Sequence, residues 1–251
     1  MRDQNGVLQV VALSGGHDST ALALLLNERE PGPYAYVCTP TGDELPEMFA
    51  HWRDLGERLG SRLIPVMGGT LKSVIASEGM LPNFRARFCT RKLKIIPFIE
   101  WMRGQLSGGP IVAHVGLRAD EPLRVGGVYG QIEGIEQRFP LREWGMGEDE
   151  VQAALRRFGV KCPDRTDCAR CYHQRIGEWW ELWRDHRDIF EDAIADEQRL
   201  GATYRTPGRD SWPTALADMA ARFEAGDKPV VSLNRMARER MVAGGCRVCS
   251  M

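Results

Sequence analysis

The chain has 251 residues, 43% hydrophobic and 27% charged, with a formal net charge of −1. That length fits one large α/β domain or a domain with a sizeable appendage, and the apolar fraction excludes a disordered chain. Near-neutral charge argues against bulk polyanion binding, leaving phosphate recognition to a local basic cluster.

No apolar stretch approaches the roughly 18 residues a membrane span needs, so a soluble protein with no membrane partner is expected. Met1 is followed by Arg2, Asp3 and Gln4, too polar for a secretory signal, so a cytoplasmic location is expected. The seven cysteines should then be reduced thiols or metal ligands rather than disulfides.

Val7 to Leu13 (VLQVVAL) reads as a buried strand, and Asp18 to Asn27 (DSTALALLLN) as the helix after it. Further strands are expected at Tyr34 to Cys38, Arg62 to Met67 and Ile111 to Val115, with helices near 46–59, 70–78 and 91–105. This alternation predicts an α/β, doubly wound and mostly parallel sheet with right-handed crossovers. After about residue 120 the strand signal fades. A helix near 148–158 leads into CPDRTDCARC, followed by one long helix at about 174–200 carrying a Trp-rich stripe, most simply a core face. Ser211 is expected to cap a last helix over 212–225. The division expected is a nucleotide-binding domain at 1–160 and a helical, Cys-rich region at 161–251.

The sharpest chemical signal is Ser14-Gly15-Gly16-His17-Asp18-Ser19-Thr20, between the first strand and its helix. Two glycines let backbone N–H groups turn toward an anion, three hydroxyls add donors, and the helix N-terminus supplies a positive dipole end. The plainer account is a tight turn with a helix cap. It is neither a Walker A loop nor a GxGxxG loop. Arg85, Arg87, Arg91, Lys92 and Lys94 place five cations in ten residues without an anion, either a solvated face or, in part, partners of a polyphosphate. Arg118 lies just past a strand's carboxyl end, where open α/β sheets bind ligands. Asp18, and less strongly Asp43, Asp120 and Glu121, are candidates for Mg²⁺ or adenosine contacts.

Cys162-x5-Cys168-x2-Cys171 and Cys246-x2-Cys249 have thiolate spacing suited to a metal. The set expected is Cys162, Cys168 and Cys171 with one of the terminal pair, Cys249 being the choice. Zn²⁺ fits this spacing as well as a cluster does.

SGGHDS resembles the SGGxDS signature of the PP-loop superfamily, which includes ATP pyrophosphatases, sulfur-inserting enzymes and phosphoadenosine-phosphosulfate (PAPS) reductases. Thr41-Gly42-Asp43-Glu44-Leu45-Pro46-Glu47, Cys89-Thr90-Arg91-Lys92-Leu93-Lys94 through Pro97, and Gly116-Leu117-Arg118-Ala119-Asp120-Glu121 resemble, in order, further segments of the PAPS-reductase branch. The Cys-Thr pair is more similar to phage members and DNA-phosphorothioation ATP pyrophosphatases than to reductases with a tandem Cys pair.

The resemblance implies ATP or PAPS with Mg²⁺, bound by Ser14 to Thr20, Thr41, Gly42, Lys94 and Arg118, with Asp18, Lys94 and Arg118 as the catalytic set. It favours a 4Fe–4S cluster over Zn²⁺. The activity implied is adenylation of a substrate for sulfur or nitrogen transfer, with tRNA or DNA as acceptor and a cysteine desulfurase or thioredoxin as sulfur or electron partner. The alternative is a PAPS or adenylylsulfate reductase using a C-terminal thiol. The tail CRVCSM lacks the ECG-x-H signature of those reductases, and a non-catalytic nucleotide sensor is a third reading.

Overall fold

The computed structural model describes residues 2–208 and 210–230. Five strands, β1 (Leu8–Ala12), β2 (Tyr34–Cys38), β3 (Ile64–Pro65), β4 (Ile111–His114) and β5 (Ile135–Arg138), form one sheet in the order β3-β2-β1-β4-β5. Every pairing is parallel; Val10 sits opposite both Ala35 and Ala113, and Ala113 opposite Gln137. The central strands are short apolar runs buried on both faces, as a helix-covered parallel sheet requires. Val10 and Val11 are fully buried on opposite sides.

Helices cover both faces. Helices α1 (His17–Arg29), α2 (Pro46–Arg58) and α7 (Glu148–Arg157) share a core with Val11, Tyr34 and Tyr36. On the other face α5 (Ile96–Gln105) packs Phe98 and Met102 on Val10, Ala35 and Ala113. The faces differ because winding runs outward from β1 to β3 and then reverses to β4. One handedness of crossover then places the connection on the opposite side. The reversal leaves a crevice at the carboxyl ends of β1 and β4.

A third core joins α3 (Leu71–Glu78), the short α4 (Phe88–Thr90), α8 (Ile176–Asp185), α9 (Arg187–Leu200) and α10 (Leu216–Glu224). Between α4 and α5 the chain makes a π-helical turn over Arg91–Ile95; the four-residue α6 (Pro140–Glu143) follows β5.

The sequence reading needs four corrections. The strand signal does not end near residue 120, because β5 adds an edge strand in which only Ile135 is fully buried. The strand expected at 62–67 shrinks to two residues at the other edge, where Pro65 cannot donate to a further neighbour. The single helix expected at 174–200 breaks at His186, whose φ of −137° and ψ of 62° end α8 and start α9. On a straight helix Trp179 and Phe190 would stand about 16 Å apart; the break brings their ring centroids to 6.1 Å. Finally, α10 starts at Leu216 without a side-chain cap from Ser211. The buried Glu197 accepts from the Leu216 N–H at 2.7 Å instead.

Candidate functional site

Gly15 and Gly16 form the turn from β1 into α1. Gly15 holds φ +86°, and a Cβ there would lie 2.0 Å from Met48 Cε and 2.7 Å from Trp52 Nε1, so any side chain would be strained and would have to displace both. The hydroxyls knit the loop together. Ser19 Oγ accepts from the Gly15 N–H at 3.1 Å and lies 3.0 Å from Ser14 Oγ, which accepts from the Gly16 N–H at 3.3 Å. Thr20 is fully buried, and its hydroxyl pairs with His51 Nε2 at 3.1 Å. The loop backbone therefore stands braced from behind by α2.

Two polar atoms beside this loop, Trp52 Nε1 and His17 Nδ1, are buried without a hydrogen-bond partner among the described residues. Burial also holds the His17 and His51 rings below the usual imidazole range. A neutral His17 would be ready to donate or accept one hydrogen bond.

Asp18, the second residue of α1, is buried. Loss of solvation raises its pKa to about 6, against the opposing pull of Arg118. Arg118 follows β4, and its guanidinium lies 3.4 Å from Asp18 Oδ1 and 2.9 Å from Asp120 Oδ1, with Glu121 at 3.8 Å and Glu148 at 3.9 Å. The turn after β4 closes on α1 because Gly116 carries no side chain; a Cβ there would meet the Asp18 backbone at 3.1 Å. Arg124 also pairs with Glu121 at 2.7 Å, so two cations face four carboxylates and the corner stays net negative, an environment that attracts a divalent ion.

Thr41, Gly42 and Lys94 gather at a second place. The Thr41 N–H and hydroxyl both donate to Glu44 Oε1 at 2.7 Å, and Thr41 Oγ1 lies 3.2 Å from Cys168 Sγ. Gly42, at φ +70°, backs onto Thr70. A cavity of ≈ 20 Å³ here is lined by Thr41, Lys94, Cys89, Cys168 and Cys171. Asp43 does not face it as a free ligand: its carboxylate accepts from the Arg170 N–H at 3.0 Å and from Arg170 Nε at 2.7 Å. This buried pair ties the Cys-rich segment to the end of β2.

The expected metal set is not assembled as the spacing suggested. Cys162 packs in the α1–α7 core near Thr20 and Asp18, whereas Cys168 and Cys171 sit at the Thr41 cavity, where Cys89 joins them. Cys246 and Cys249 lie outside the described residues. Among the described residues, no three His, Cys, Asp or Glu side chains are disposed to hold a metal ion. The thiol cavity has room for about one water-sized particle. Burial pushes the Cys168 thiol far up and Cys162 up to about 11.

Sequence reasoning missed His51, Trp52 and Arg170. No local motif marks them; α2 and the Cys-rich segment bring them in from elsewhere in the chain. A larger cavity, ≈ 530 Å³, lies between α2, residues 161–165 and α8, with His51 and Cys162 in its wall. It backs onto the loop through the His51–Thr20 pair.

No protein-family model matches the chain. It is 23% identical over 216 residues to the uncharacterized nin region protein ORF290 of Escherichia phage lambda, covering 68% of this chain and 74% of that protein. In structure it is similar to a phosphoadenylyl-sulfate (PAPS) reductase from Candida auris, solved as a phosphate complex. That match has a TM-score of 0.47 and 14% identity, and covers 62% of this chain and 74% of the other. Among the described residues, no helix is long and apolar enough to cross a membrane.

Proposed function

We propose that the chain is a PP-loop enzyme that binds ATP at Ser14 to Thr20 and adenylates a substrate for sulfur or nitrogen transfer, with nucleic acid as acceptor. The observation that carries the proposal is the position of the loop: a backbone turn at the crevice where the sheet reverses, feeding a helix N-terminus, with two orphaned polar atoms beside it.

The chemistry needs little from the protein beyond placement and charge. An acceptor oxygen attacks the α-phosphorus, the bond to pyrophosphate breaks, and a sulfur or nitrogen nucleophile then displaces AMP. Loop amides and Arg118 hold the leaving pyrophosphate, and Lys94 adds a cation from the neighbouring cavity. Mg²⁺ commonly takes one or two carboxylates plus phosphate oxygens and water, so Asp18 with Asp120 or Glu121 fits it; the ion would neutralise the polyphosphate. The division at 160/161 and a sulfur-donor partner belong to the same proposal.

The test is product analysis after incubation with ATP or PAPS. Pyrophosphate and AMP from ATP, dependent on Asp18 and Arg118, support the adenylating reading. Sulfite from PAPS with a dithiol, and no turnover of ATP, replaces it with the reductase reading.

A further inference from the structure

From Gly79 to Ile99 the chain has five cations and no carboxylate, and the structure sorts those cations by direction. Lys92 pairs with Glu78, Lys94 lines the thiol cavity, and Arg87 approaches Tyr172. Arg85 and Arg91 are exposed, and neither has an ion pair among the described residues. Phe84, which precedes Arg85 in the chain, is 48% exposed. Its ring stands edge-on to Tyr172 at 5.3 Å and to His173 at 4.6 Å, which fixes its orientation. The turn that presents it is rigid: Asn83 Oδ1 accepts from the Arg85 N–H at 2.9 Å and the Ala86 N–H at 3.0 Å.

The other aromatic and basic surface, on α8 to α10, is different. Arg184, Arg187 and Arg222 already stack on Trp180, Trp183 and Trp212. Each is also paired with an acid, Asp185, Glu224 or Asp227. That surface is internally neutralised, whereas among the described residues Arg85 and Arg91 have no ion pair.

We infer that the Phe84–Arg91 face docks a single-stranded nucleic acid, with a base stacked on Phe84 and phosphates on Arg85 and Arg91. The pairing of an upright, half-exposed aromatic ring with uncompensated guanidinium groups is what such strands bind, the ring taking any base and the cations taking the backbone. A folded duplex offers no free base face, and a membrane surface needs no fixed ring. The inference rests on the nucleic-acid acceptor reading and names its docking face.

Fluorescence anisotropy of a labelled oligothymidylate, followed from about 50 to about 200 mM salt, tests it. Binding should weaken as salt rises. Arg85→Gln with Arg91→Gln should flatten the log–log slope by about 1.4, at about 0.7 per single-strand phosphate contact. Phe84→Ala should weaken binding roughly 5- to 150-fold, the span of one stacked base, and Phe84→Trp should restore it. Absence of oligonucleotide binding at the lowest salt would overturn the inference, and so would wild-type affinity in Phe84→Ala. Capture of phosphatidylserine vesicles in preference to the oligonucleotide would assign the face to a membrane instead. ATP affinity should stay at the wild-type level in all these variants. If wild-type protein fails to bind ATP yet holds the oligonucleotide through Phe84, the loop reading falls and this one stands.

Discussion

Asn in place of Asp18 separates what the carboxylate costs the fold from what it does for a ligand. Desolvation lifts the Asp18 pKa from 3.8 to about 6 even with Arg118 nearby, a rise equivalent to about 3 kcal/mol. The folded state therefore binds this proton more tightly than the unfolded state. Stability from this group is fully present below about 3.8 and is lost as pH rises through about 6. Removing the charge should recover about 1–3 kcal/mol at pH 8, or roughly 2–4 °C in Tm for each kcal/mol in a chain of this size. Arg118 would keep Asp120, Glu121 and Glu148 as partners. Thermal denaturation of both proteins in chelator, at pH 8 and again near pH 4, reads the difference. The variant should be the more stable at pH 8 and level with wild type near pH 4, while losing nucleotide binding, a trade seen where function demands a strained group. A variant less stable than wild type at pH 8 would refute the reasoning, because it would mean that the Arg118 contact outweighs desolvation.

Gly15→Ala puts a methyl into Met48 and Trp52 at a positive φ; it should cost about 1–3 kcal/mol and remove nucleotide binding, read by urea denaturation and calorimetry together. Asp43→Ala leaves the Arg170 guanidinium buried with, among the described residues, only Asp196 as ion-pair partner; a loss of about 3–5 kcal/mol in denaturant melts is expected, and a loss under about 1 kcal/mol would contradict the tether. Cys162→Ser should leave the iron, sulfide and zinc content of purified protein at the wild-type level, since that thiol sits in a different core from Cys168 and Cys171; metal lost on this change would overturn the separation.

The parallel sheet was legible because its central strands are unbroken apolar runs such as LQVVA and YAYVC, each followed by a helical period. Its edges were less so: the strand expected at 62–67 spans only two residues, and β5 was missed because IEQR carries two charges in four residues. The loop was legible as a motif, yet not its bracing: nothing near residue 14 signals that His51 will bond Thr20 or that Trp52 will close over Gly15. Cysteine spacing in sequence does not fix cysteine placement in space. Six residues can span about 20 Å when extended, so the run from Cys162 to Cys168 crosses from the α1 core to the end of β2 instead of folding back on itself. The break at His186 carries no glycine or proline. It arises from packing, because only a bent chain sends Trp179 and Phe190 into one core.

The proposed chemistry requires that the loop from Ser14 to Thr20 seat an adenine nucleotide. Titration calorimetry of wild type and Gly15→Ala with ATP and Mg²⁺ tests this most directly. Saturable binding by wild type, absent in a variant that still folds, is the expected result. No binding by wild type, or equal binding by both proteins, would contradict it and leave the loop as a helix cap alone.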